Sequence, residues 1–188
     1  MKIIYDEIAF LEAASVAALG MFDGVHIGHQ ELIRNAVTLA KSMNARSVVC
    51  TFDRHPLSVL RPDRAPKPLL TLQQNLLKFE RLGADYALVK SFTPEFAVTE
   101  PEEYLRQLVE RMRVKAIVVG ENYTFGAKGR GDAALIRKMA PELNYRALVV
   151  APVMDGSVVA SSTYVRALQA AGETAHVHRL MDIPVTRG

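Results

Sequence analysis

The chain has 188 residues, 49% hydrophobic and 23% charged, a balance that suits one folded domain and excludes a disordered or fibrous chain. Its 23 basic and 20 acidic residues are interleaved and leave a net charge of +3. That pattern speaks against the clustered basic stripe of a nucleic-acid binder and suits anionic small molecules. The single cysteine, Cys50, excludes an internal disulfide and, inside "SVVCTF", reads as a buried, inert thiol. The N-terminal "MKIIYDEIAFLEAA" carries acids where a secretory leader is apolar, and no apolar run approaches the ~18 residues that span a bilayer. The expectation is a cytoplasmic protein without a membrane or nucleic-acid partner.

"SVAALGMF" (15–22) predicts a buried strand. "HQELIRNAVTLAKSMN" (29–44) predicts a helix, because Leu32, Ile33, Ala36, Val37, Ala40 and Met43 recur at three and four. "RSVVCTF" (46–52) is a β-branched strand. "DRHPLSVLRPDRAPKPLL" follows, with four of the nine prolines, and predicts a long functional loop. Thr71 with Gln74 forms a capping box for a helix to about Leu82, which Gly83 stops. "DYALVKSF" (85–92) is a strand, and Thr99 with Glu102 predicts a second capping box for a helix to about Arg113. Then come a strand "VKAIVVG" (114–120), a glycine-rich loop, a helix near 132–140, a strand "RALVVAPV" (146–153), a turn at Asp155-Gly156 and a helix over 162–171. Five wholly apolar strands alternating with helices predict an α/β fold, a doubly wound parallel sheet covered on both faces. Such sheets bind ligands beyond the carboxyl ends of their strands.

The loops at those ends carry the chemistry. After the first strand comes "FDGVHIGH", in which Gly24 and Gly28 permit close backbone approach and His26 and His29 bracket a helix start. Free N–H groups and the positive dipole end there favour an anion, and imidazoles beside it can stabilise charge at a reacting phosphorus. "TFDRHP" places Asp53 and His55 after the second strand, where an ordinary Asx-type turn is the plain alternative. "GENYTFGAKGRGD" offers Asn122, Tyr123 and Phe125 to a flat ligand or to loop packing. "ASSTYVRALQAAG" sets Ser161, Ser162 and Thr163 before a helix with Arg166 on its first turn, either a common Ser/Thr cap or a second phosphate cradle. Two such cradles on one small sheet point to a polyphosphate, hence a nucleoside triphosphate.

"HIGH" with "SSTYVR" resembles the HxGH and ISSTxxR signatures of the Rossmann-like nucleotidylyltransferases. With "LGMFDGVHIGHQELI", "TFDRHPLSVLRP" and "VVGENYTFGAKGRGD" in order, the chain resembles the FMN adenylyltransferase (FAD synthetase) module of bacterial bifunctional riboflavin kinase/FAD synthetases. The resemblance implies in-line attack of the FMN phosphate on the α-phosphorus of Mg²⁺-ATP, giving FAD and pyrophosphate, with Mg²⁺ carried by the ATP phosphates and not by protein ligands. It implies catalytic roles for His26, His29 and Arg166. It implies ATP contacts from Phe22, Asp23, Gly24, Gly28, His29, Ser162, Thr163 and Arg166, and flavin contacts from Asp53, His55, Pro56, Asn122 and Phe125. Arg54, Asn122 and Ala160 depart from the residues usual in the family. Arg54 and Asn122 leave room for another phosphate-ester acceptor; a third reading, a weakly catalytic flavin- or nucleotide-binding module that regulates a partner, is opposed by the intact His26, His29 and Arg166. The resemblance further implies one nucleotidylyltransferase domain over 1–188 without the family's flavokinase barrel, "RLMDIPVTRG" standing where the linker to it would begin.

Overall fold

The computed structural model describes residues 1–5 and 11–182. In chain order its strands are β1 (Lys2–Tyr5), β2 (Ser15–Leu19), β3 (Arg46–Phe52), β4 (Tyr86–Lys90), β5 (Val114–Gly120), β6 (Thr124–Phe125), β7 (Gly131–Asp132), β8 (Arg146–Val150), β9 (Met154–Asp155) and β10 (Val158–Val159). Its helices are α1 (Ile27–Ser42), α2 (Leu57–Leu60), α3 (Leu72–Arg81), α4 (Pro94–Ala97), α5 (Pro101–Met112), α6 (Ala133–Leu143), α7 (Ser162–Ala170) and α8 (Thr174–Met181). A parallel six-stranded sheet in the order β1-β4-β3-β2-β5-β8 forms the centre. The pairs β6–β7 and β9–β10 are short antiparallel ribbons outside it.

Side chains alternate across the strands into two cores. Val16, Ala18, Val49, Ala116 and Val118 pack against α1 (Ile33, Ala36, Val37, Ala40) and α3 (Leu76, Phe79). Ala17, Leu19, Val48, Ile117 and Val119 pack against α5 (Leu105, Leu108, Met112) and α6 (Ile136, Met139). Both faces are therefore covered, which is why the strands read as apolar along their whole length. Cys50 lies in the second core, where burial pushes its thiol up to about 12, as an inert thiol requires.

The chain winds from β2 outward through β3 to β4, then returns past β2 to β5 and β8 on its other side. The winding direction reverses between β2 and β5, so the loops after these two strands flank the crevice where such sheets bind ligands.

Several elements differ from the sequence expectation. The sheet has a sixth strand: β1 pairs parallel with β4, from Lys2↔Tyr86 to Tyr5↔Val89. Four residues at a half-exposed edge carry no readable periodicity, and only β4 makes them a strand. The capping box at Thr99 does not form. The N-cap is Glu100 with Pro101 at N1, and proline's fixed φ sets the start one residue later. After α7 the chain turns at Gly172 into α8, whose Val177, Leu180 and Met181 pack with Val165 against Ile27 and Leu69. The long proline-rich loop carries one short helix, α2, and a 3-10 turn at Pro62–Arg64. The "IPVTRG" end of the expected linker lies outside the described residues.

Candidate active site

α1 begins directly beneath the β2–α1 loop. His26 is its N-cap residue, extended at φ −67° and ψ 170°, and its side chain caps nothing. The leading N–H groups of the helix thus remain free toward the crevice. The imidazoles of His26 and His29 stack, with centroids 3.7 Å apart and planes 26° from parallel. His26 is only 4% exposed, and Nδ1 of both rings is buried without a hydrogen-bond partner among the described residues. Burial draws His26 from 6.5 to about 4 and, together with the charge of His26, draws His29 well below its ordinary value. Both rings are therefore neutral at pH 7. An orphaned buried nitrogen costs on the order of 1–3 kcal/mol, which marks a site held ready for a ligand.

The loop that delivers His26 is strained. Phe22, Gly24 and Val25 have φ of 52°, 84° and 48°. For buried, β-branched Val25 this is a costly conformation, on the order of 1–3 kcal/mol, that persists only when its surroundings impose it. The surroundings do so at several points. Gly24 N–H donates to Asn75 Oδ1 at 3.1 Å. The Gln30 side-chain amide donates to the Val25 carbonyl at 3.0 Å. Phe22, fully buried, meets the rings of His29 and Phe79 edge-on at 5.3 and 5.6 Å. Phe22 is not among the residues lining the cavities described below, and its ring supports the His29 imidazole.

The start of α7 meets the start of α1. Ser161 is the N-cap residue and accepts from Tyr164 N–H at 3.1 Å. Ser162 Oγ donates to the Asp23 carbonyl at 3.0 Å. A Cβ at Gly28 would come within 3.2 Å of both the Ala160 carbonyl oxygen and the His26 ring. Glycine is thus what lets the two helix starts abut. A cavity of about 270 Å³ opens where they meet. His26, Gly28, His29, Ser161 and Ser162 line it together with Gly120 at the end of β5 and Asn122 and Tyr123 from the loop that follows. Asn122, expected on the flavin side, lies here. Thr163 is exposed, and neither it nor Arg166 lines this cavity. The Arg166 guanidinium bonds the Asp23 carboxylate and the Lys67 carbonyl oxygen, the latter at 3.0 Å.

A second cavity, about 700 Å³, adjoins the first at Tyr123, which lines both. Its wall is a run of touching rings: Phe52, Phe92, Phe96, Tyr104, Phe125 and Tyr123, with neighbouring centroids 5.2–5.9 Å apart. Pro56, Val59 and Leu60 of the proline-rich segment close one side, and Lys128 stands at the rim. Of the residues expected at a flavin, Pro56 and Phe125 line this cavity. Asp53 and His55 instead line a third one of about 410 Å³, beside Asp23 and Asn75. Burial raises the Asp53 carboxyl, but the Phe92 N–H and the Arg54 guanidinium outweigh this and hold it below the usual range. His55 Nδ1 accepts the Leu57 N–H at 3.1 Å, so its neutral form carries the proton on Nε2. Burial and the nearby Arg166 charge lower its pKa, against the pull of Asp23.

The aromatic wall escapes sequence reading because Phe92, Phe96 and Tyr104 sit in segments that look like ordinary core. The grouped aromatics of "KSFTPEFA" and "EEYL" were its only local trace. Among the described residues, no three His, Cys, Asp or Glu side chains gather to hold a metal ion. No helix there is long and apolar enough to cross a membrane.

The bifunctional riboflavin kinase/FMN adenylyltransferase of Bacillus subtilis is 32% identical over 176 residues, spanning 92% of this chain and 55% of that one. The same-named proteins of Listeria monocytogenes and Escherichia coli are matched over 54% of their lengths, so the chain spans about half of these relatives. The crystal structure of a macrolide-efflux protein from Streptococcus pneumoniae superposes with a TM-score of 0.87 at 28% identity, covering 98% of this chain and 61% of that one. Pantoate-β-alanine ligase from Francisella tularensis shares the fold, with a TM-score of 0.55 at 18% identity over 88% of this chain and 71% of that one. The family model for FAD synthetase matches residues 10–164, a span that contains both histidines, the aromatic wall and the start of α7, and the chain accordingly belongs to the FAD synthetase family.

Proposed function

We propose that the chain transfers the adenylyl group of Mg²⁺-ATP to FMN, giving FAD and pyrophosphate. The observation that carries this reading is the pair of adjoining cavities: one edged by two helix starts and two neutral imidazoles, the other walled by aromatic rings, with Tyr123 between them. Nucleotide phosphates suit the first, where free N–H groups and the helix dipoles converge. A flat apolar ring system suits the second, whose size is that of an ordinary ligand site.

On this reading a phosphate oxygen of FMN bonds to the α-phosphorus, and the bond from that phosphorus to the β-bridging oxygen breaks. Pyrophosphate leaves with the electron pair. His26 and His29 donate hydrogen bonds to the phosphoryl oxygens on which charge grows, and Asn122 lines the same cavity. The site acts by positioning and by neutralising charge, without a covalent enzyme intermediate. Among the described residues, the buried carboxylate near the site, Asp23, is taken up by Leu69 N–H and Arg166, so Mg²⁺ is best carried on the phosphates, where it neutralises their charge.

The test mixes the purified chain with FMN, ATP and Mg²⁺ and follows the flavins by chromatography. FAD should accumulate, riboflavin alone should stay unphosphorylated, and His29→Ala should lose on the order of 10²-fold in turnover. Absence of FAD, or a His29→Ala rate equal to wild type, would overturn the reading.

A further inference from the structure

Asp23 joins parts of the site that are far apart in sequence. Its Oδ1 accepts the Leu69 N–H at 2.9 Å, and its Oδ2 takes the Arg166 guanidinium. Its own carbonyl oxygen accepts Ser162 Oγ. The side chains of Asp23 and Arg166 are 6% and 23% exposed. Arg166 is thus a half-buried cation on the second turn of α7, turned toward Asp23 and the Lys67 carbonyl rather than the cavity at the start of its own helix.

We propose that Asp23 is a positioning residue that parks Arg166. A triphosphate entering at the starts of α1 and α7 takes the guanidinium from the carboxylate, and that exchange unties the segment around Lys67. This rests on the adenylyl-transfer reading for the presence of a triphosphate there. A phosphate offers arginine paired, charge-assisted hydrogen bonds and competes well with one carboxylate. Asp23 is not orphaned when Arg166 leaves, because Leu69 N–H remains on Oδ1. The strained loop also keeps its other ties, through Asn75 and Gln30, so His26 stays in place. Residues 61–70 run from α2, whose Val59 and Leu60 wall the aromatic cavity, to Leu69 beside Asp23. Loading the nucleotide therefore loosens one wall of the acceptor side, and the two substrates bind in a coupled way.

Asp23→Asn tests this, since the amide keeps one acceptor oxygen for the Leu69 N–H and replaces the charged oxygen that holds Arg166 with an NH2 group that cannot accept from it. Binding of a non-hydrolysable ATP analogue should tighten by roughly three- to tenfold, the scale of one competing half-buried ion pair. Turnover should fall, and FMN affinity should no longer respond to the analogue. In Asp23→Asn/Arg166→Met the tightening should vanish. Weaker analogue binding by Asp23→Asn, or tightening that survives the second substitution, would overturn the proposal. Absence of analogue binding by the wild type would remove both the latch and the reading beneath it. If Asp23→Asn does not fold, hydrogen exchange on the wild type decides. The analogue should speed exchange of the Arg64 and Ala65 amides, whose turn lies on the segment that Arg166 releases, while the Leu69 amide stays protected on Asp23. Unchanged or slower exchange at Arg64 and Ala65 would count against the latch.

Discussion

His26 and His29 are the residues whose chemistry is most local. Two imidazoles bracketing a glycine at a helix start were legible because they lie within four consecutive residues of the chain. Their protonation state was not legible, since it follows from burial. A histidine neutral in the fold and protonatable when unfolded sets a pH dependence of fixed sign. Above pH 6.5 both states are neutral and nothing changes. Between 6.5 and about 4 the unfolded chain takes up a proton that folded His26 refuses, so stability falls as pH falls. For His26 the full loss is about 3 kcal/mol near pH 4. Denaturant melts at pH 7, 5.5 and 4.5 should show that decline, and His26→Gln should flatten it. An equally steep decline in the variant would show that other groups set it. Asp23 and Arg166 carry the opposite lesson. Each was expected at the nucleotide, but their ion pair spans residues 143 apart in sequence, so only the folded chain reveals it.

At the scale of elements, the legible features are those with a complete local account. α3 has its capping box as expected: Thr71 Oγ1 accepts from Gln74 N–H, and Gln74 Oε1 accepts from Thr71 N–H. Gly83, at φ 86°, follows its C-cap. Thr71→Ala should therefore destabilise the protein by about 1 kcal/mol with little effect on turnover, read from the denaturation midpoint at constant slope. A change within error would mean that the tertiary packing of Leu76 and Phe79 alone holds the helix. The same pattern at Thr99 fails because Pro101 competes for the helix start. β1 was illegible because a short edge strand exists through its partner. α8 was illegible because its eight residues acquire an apolar face only against Val165 and Ile27.

At the scale of the whole molecule, the reversal of winding between β2 and β5 brings the histidine loop and the Asn122–Tyr123 loop together. The aromatic cavity draws its lining from β3, α2, the 92–98 segment, α5 and the loop after β5. Its two-cavity layout predicts that the substrates can be perturbed separately. Leu60, 54% exposed on the aromatic wall, is far from the histidines in role and costs little to replace. Leu60→Asp should raise the KM for FMN about tenfold or more, placing an anion beside an apolar ring, while the KM for ATP stays near wild type. Equal rises in both would mean that the cavities do not divide the substrates.

The α/β class, the helix faces and the presence of histidines and serines at two helix starts were legible in the sequence. Each of these depends on residues within a few positions of one another, where periodicity and capping act. The tertiary structure alone decided which cavity each loop residue lines, the sixth strand, the aromatic wall, the neutrality of the histidines and the tie between Asp23 and Arg166. Those depend on burial and on contacts between distant segments, which come into being only when the chain closes on itself.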